Sequence, residues 1–205
     1  MDEFSGVHIS PHYLYDQVDL ATASVDDRVA ILEDRLRGYL TVPCGLLLNV
    51  YEHSIFIVLM AVLSCVELIE TLYTGKSTRP DPEAAFKSGL MRVLKQAQHF
   101  GKVPGAETLP LDNALHEIYV QVRCGLMHLG TTRSKVLIDP SLGSPVMVKY
   151  DRMGTTVDQI VLNPRRLVVS LDTFISEYCT QLRNPRNREL RETFERGWGV
   201  LGSDN

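Results

Sequence analysis

The run "SIFIVLMAVLSCV", Ser54 to Val66, decides what kind of molecule this chain makes. Thirteen residues without a charge belong either to a membrane span or to the middle of a packed fold. A span needs about 20 consecutive apolar residues. This run is shorter than that, and Glu52 and Glu67 flank it on either side. It reads as the buried part of a core helix, and apolar side chains nearly all round that helix argue for a central position. No membrane is expected as a partner. Extended outward, the helix runs from about Leu46 to Thr74, with Gly75 as the residue that ends it.

Other helices are expected around it. Ser24, followed three residues later by Asp27, has the form of an N-cap with an acidic partner. From there Val25, Val29, Leu32, Leu36 and Leu40 recur at helical spacing, until Pro43 and Gly45 interrupt. "GKSTRPDPEAAF" reads as a loop and Glu83–Phe100 as a helix. A further loop, "GKVPGAETLP", leads to a helix over Leu111–Leu129, ended by Gly130. The pattern then changes. "KVLID", "PVMVKYD" and "VDQIVLN" are short Val/Ile-rich runs between turn residues, predicted as strands of a small meander. Asn163 before Pro164 suits the start of a helix that continues to about Arg183. "RNRELRETFERGW" predicts one last short helix before a frayed tail.

The expected fold is therefore mainly α: an up-and-down helical bundle of five to six helices carrying a small antiparallel β-meander insertion. Residues 1–205 are read as one domain, with its core over 46–183, the insertion over about 135–163 and the tail over 199–205.

Composition excludes little. Across 205 residues, 44% are hydrophobic and 22% charged, ordinary values for a globular chain. The net charge of −4 advertises no nucleic-acid partner, although it leaves room for a local basic patch. Cys44, Cys65, Cys124 and Cys179 are scattered singly, without zinc-ligand spacing or a disulfide framework. Reduced thiols in the cytoplasm are expected, with no metal and no cofactor. The opening "MDEFSGVHIS" is acidic and lacks the apolar stretch of a secretory signal.

The chemistry-bearing segment is "EIYVQVRCGLMHLG", Glu117 to Gly130. An imidazole five residues beyond a guanidinium suits phosphodiester cleavage. His128 can take a proton from a ribose 2′-hydroxyl or return one to the leaving oxygen. Arg123 can grip the phosphate and offset its developing charge. On an ideal α-helix the five-residue step turns about 140°, so the two are not neighbours on one face. His128 shares its stripe with Cys124, Gln121 and Glu117, which become candidate supporting residues. A joint role for the pair needs the Arg stem to curl toward the helix end, or groups from a second chain. The bland reading stands beside this one. His128 sits in the last helical turn, where it can satisfy free carbonyls, and Arg123 can pair with Glu117 or another carboxylate. Glu52, in an apolar helix, needs the surface or a partner, for which Arg123 is a candidate. Arg183, Arg186 and Arg188 form either a phosphate-tracking patch or a solvated helix laced with ion pairs.

"YVQVRCGLMHLG" resembles the R-x4-H signature of the HEPN superfamily (higher eukaryotes and prokaryotes nucleotide-binding domains). "VLSCVELIETLYTGK" is similar to the long early helix of bacterial HEPN-like proteins, and "VLNPRRLVVSLDTFISEYCTQL" to the Asn-Pro-initiated helix that follows their small β element. The resemblance implies an all-α bundle that forms a homodimer through the motif helix, with Arg123 and His128 meeting across a cleft. It further implies metal-independent cleavage of RNA, often in toxin–antitoxin or other defence systems, with an antitoxin or partner protein. Two positions depart from the active pattern. Cys124 stands where active members commonly carry Asn, Asp or His, and Gly130 where one variant carries a Tyr. The resemblance thus implies either an endoribonuclease or a non-catalytic module that binds RNA or protein.

Overall fold

In the computed structural model, which describes residues 6–20, 22–96, 111–154 and 156–203, the chain begins with a small antiparallel hairpin. Its strands β1 (His8–Ser10) and β2 (Tyr13–Leu14) lie in what the sequence presents as a polar lead-in. Asp34 ties this hairpin to the first helix, accepting from Ser10 Oγ at 2.5 Å and from the His12 backbone at 2.9 Å.

Helix α1 (Val25–Leu36) starts as expected, with a complete capping box between Ser24 and Asp27. It does not stop at Pro43. A π-helical turn, Arg37–Thr41, passes directly into α2 (Val42–Val50), so Pro43 and Gly45 lie inside helix. Proline lacks an N–H, and its ring presses on the carbonyl four residues back. The widened turn just before Pro43, in which Val42 N–H reaches the Arg37 carbonyl, takes up that misfit. The turn is anchored from outside: Arg37 binds both oxygens of Asp172 at 3.0–3.1 Å, and Thr41 Oγ1 donates to Asp172 at 2.9 Å.

The single helix expected from Leu46 to Thr74 is two. Tyr51 adopts extended backbone, and a 3-10 turn over Glu52–Ser54 separates α2 from α3 (Ile55–Thr74). The Ser54 hydroxyl and N–H both donate to the Tyr51 carbonyl and hold the break, at 2.7 and 3.1 Å. By length and mean hydropathy, 2.3, α3 is apolar enough to cross a membrane, yet 56% of its most apolar window is buried inside the fold. It packs against α4 (Pro82–Gln96) and against the two C-terminal helices. Gly75 ends it with a left-handed backbone, φ 69°, as its position implied. The expected end of the α4 helix at Phe100 falls outside the described residues.

Helix α5 (Leu111–Ile118), a second π turn over Tyr119–Arg123, and α6 (Cys124–Leu129) form one uninterrupted helical segment, ended by Gly130 at φ 69°. The strands that follow are β3 (Val136–Ile138), β4 (Val146–Tyr150) and β5 (Val157–Leu162). Their order is β3-β5-β4, and β3 runs parallel to β5. The expected antiparallel meander is therefore corrected to a mixed sheet. Ile160, Val161 and Leu162 are all buried, and a central strand apolar on both faces takes partners on both edges.

Helix α7 (Pro164–Arg183) starts at an Asn163 cap, and α8 (Arg188–Ser203) extends well past the expected short helix. Residues 199–203, expected to fray, are helical because α8 is pinned from within. Phe194 is fully buried and Trp198 packs on it at 5.7 Å. One connected cluster of buried side chains joins α1, α3, α4, the motif helix, the three-stranded sheet, α7 and α8.

Asn163 holds three groups at once. Its carboxamide oxygen accepts from Arg166 N–H at 3.1 Å, and its nitrogen donates to the Pro140 and Leu142 carbonyls at 2.9 and 2.7 Å. It is 3% exposed. Asn163→Ala should cost about 2–4 kcal/mol, since it removes a cap and leaves two acceptors without their donor. Asn163→Asp, which keeps the cap but aims a carboxylate at both carbonyls, should rescue little of this in a urea titration.

Candidate functional site

The π turn sets where the motif side chains go. Cys124 N–H bonds to the Tyr119 carbonyl five residues back, so one residue is inserted relative to an α turn. The following loop closes over the same place: Arg133 N–H donates to the Gln121 carbonyl at 2.9 Å. The extra residue breaks the stripe drawn on an ideal helix. Glu117, Gln121, Cys124 and His128 do not share one face. Glu117 accepts from Gln121 at 3.0 Å and from Lys135 at 3.4 Å, forming its own cluster beside the sheet. Cys124 is half-buried against Tyr119, whose phenol is pushed up by burial and further by that thiol, while the Arg123 guanidinium pulls it down.

Arg123 is held by a residue that the motif does not include. Its Nε donates to Oε1 of Glu67 on α3 at 3.0 Å, and Nη2 lies 2.9 Å from the same oxygen as an ion pair. The guanidinium also lies 5.5 Å from the centre of the Tyr119 ring. Its side chain is 21% exposed, and Nη1 has no hydrogen-bond partner among the described residues. Glu117 is not its partner, being bonded to Gln121 and Lys135 instead; the Glu52 side chain, the other candidate, lies outside the described residues. Burial logic applied to Glu52 holds equally for Glu67, an acid at the end of the same apolar run, and that signal could have identified the pair. Glu70, one turn on, is taken in the same way by Arg92, 2.7 Å away, which stacks on Tyr73.

His128 is exposed in the last turn of α6, and among the described residues it forms no hydrogen bond or ion pair. The helix-capping role considered for it is not taken up: the Leu126 carbonyl is met by Gly130 N–H at 3.1 Å. The site thus offers a free imidazole and, five residues earlier, a guanidinium with one amino group open and the rest committed to a carboxylate.

The three C-terminal arginines do not join it by any direct contact. Arg183 pairs with Glu33 of α1 at 2.5 Å, in the seam between α1 and α7. Arg186 and Arg188 are exposed and line a cleft of about 570 Å³ at the joint of α7 and α8, with Tyr73, Gln181, Leu190 and Thr193.

The thiols differ in reactivity. Burial pushes the Cys44 thiol up, and those of Cys65 and Cys179 up to about 12. The thiolate is the reactive form, so these three should resist alkylation in the folded protein. Cys124, only half-buried, should label first with iodoacetamide at neutral pH; mass mapping after brief exposure checks the order.

No family model matches this chain, and neither a curated protein nor a solved structure matches it significantly.

Proposed function

We propose that the chain is a HEPN-like protein, its helices arranged as an up-and-down bundle, acting as a metal-independent endoribonuclease of the toxin or defence type in the cytoplasm. The observation that carries this reading is the free, exposed imidazole of His128 one helical segment beyond a guanidinium with an open amino group. In this reading Arg123 binds the scissile phosphate through Nη1, with Glu67 holding the rest of the guanidinium in place. His128 serves as general base or acid toward the 2′-hydroxyl or leaving oxygen. Two copies meet through the motif helix, where Met127 and Leu129 expose 46% and 64% of their surface, and each copy supplies groups to a shared cleft. Arg186 and Arg188 are left for backbone phosphates farther along the strand, and an antitoxin would cover the cleft.

A second reading is favoured by the Glu67 contact itself. With its charge matched at 2.9 Å, Arg123 is also a well-placed structural ion pair, and the chain is then a non-catalytic module that binds RNA or protein. Incubation of the purified protein with a mixed RNA pool in excess chelator separates the two. Products ending in 2′,3′-cyclic phosphate support the nuclease, and intact RNA over hours at micromolar protein sinks it.

A further inference from the structure

Helix α2 is apolar yet largely uncovered among the described residues. Its sequence, "VPCGLLLNV", has no charged residue, yet only Cys44 among its nine residues is buried. Val42, Leu46 and Val50, spaced four apart, point outward and are 54%, 59% and 78% exposed. The stripe continues around the break through Tyr51 and onto the first turn of α3 at Phe56 and Ile57, the latter 61% exposed. Together these side chains leave on the order of 600 Å² of apolar surface in water, at the upper end of what a monomer tolerates.

From this we infer that the outer face of α2 and the first turn of α3 form a docking surface for a second copy of the same chain, in an isologous pairing. Charge selects that occupant. From Gly38 to Gly75 there is no Lys or Arg; of the three acids, Glu67 and Glu70 are each paired to an arginine within the fold, and Glu52 is the third. A surface that binds anionic lipid carries lysines and arginines around its apolar centre. Arg165, at the C-terminal end of α2, is engaged with Asn49 at 2.7 Å and the Leu48 carbonyl at 3.2 Å. A two-fold contact sets a patch against itself, which a strongly charged patch resists and a largely apolar one accepts. The exposed area approaches one partner's share of a standard interface, about 800 Å². This surface is separate from the motif-helix contact of the nuclease reading and does not depend on that reading.

Light scattering across a concentration series tests it. Leu46→Glu and Ile57→Glu should each halve the assembly mass, with association weakened about 100-fold and the thermal melt retained. Val50→Lys provides the same test where either variant fails to fold. Met127→Glu perturbs only the motif-helix contact, so the two surfaces can be scored apart. A monomeric wild type, or an assembly mass unchanged by all three α2–α3 variants, overturns the inference. Flotation of the wild type with neutral phosphatidylcholine vesicles, abolished by Leu46→Glu, would overturn it in favour of a lipid occupant.

Discussion

His128→Ala is expected to slow the proposed RNA cleavage by about 10²–10⁴-fold, the range that a positioned acid–base group supplies. The same substitution should leave the melting temperature unchanged. His128 is exposed and makes no hydrogen bond or ion pair among the described residues, and such surface changes fall within about 0.5 kcal/mol. This separation makes it a cleaner probe than Arg123→Ala. Removing Arg123 takes away the proposed phosphate ligand and also strands the Glu67 carboxylate, which is 20% exposed, accepts from Nε and is ion-paired with Nη2. Lost activity in that variant would mix chemistry with damage to the α3 seam. The double variant Arg123→Met with Glu67→Met removes both charges together and should recover most of the stability without any cleavage. Wild-type rates in His128→Ala would exclude the imidazole from the reaction; rates lost only together with the fold would leave Arg123 a structural residue.

Features legible in the sequence are those that a few adjacent residues determine. Ser24 with Asp27, Asn163 with Pro164, and the glycines at 75 and 130 mark helix ends because capping is a local exchange of hydrogen bonds. The two π turns carry no comparable residue signature. The first hid the passage of helix through Pro43, and the second rotated Cys124 and His128 away from the stripe shared with Glu117 and Gln121. The pairing of β3 with β5 joins segments more than 20 residues apart and is decided by which strand buries both faces. The helical end of α8 was obscured by three glycines in "GWGVLGS", whose effect is outweighed by the burial of Phe194 and the packing of Trp198. At the site, the motif supplied Arg123 and His128. The residue that decides what Arg123 can do, Glu67, lies 56 positions earlier, where only the cost of an unpaired acid pointed to it.

The glycines that face α3 predict the largest change in stability. A Cβ added at Gly89 of α4 would lie 2.3 Å from the Val66 carbonyl oxygen, and one at Gly197 of α8 would lie 2.5 Å from that of Thr71. Both obstacles are backbone of the central helix, so neither can swing aside as a side-chain tip would. Glycine at these positions lets two helices approach α3 more closely than any other residue permits. Ordinarily Gly→Ala inside a helix gains about 1 kcal/mol through propensity. Here the clash should outweigh that gain, giving a net loss of roughly 2–3 kcal/mol for Gly89→Ala or Gly197→Ala. Either loss is a large fraction of a stability of about 5–15 kcal/mol. Gly199, two residues along α8, meets nothing within 4 Å, and Gly45 in α2 is equally open. Gly199→Ala and Gly45→Ala should therefore stabilise by up to about 1 kcal/mol. Opposite signs for Gly197→Ala and Gly199→Ala in one denaturation series would establish that α8 is docked on α3. Equal signs would mean that the C-terminal helix does not pack there, and the burial of Phe194 would go with it.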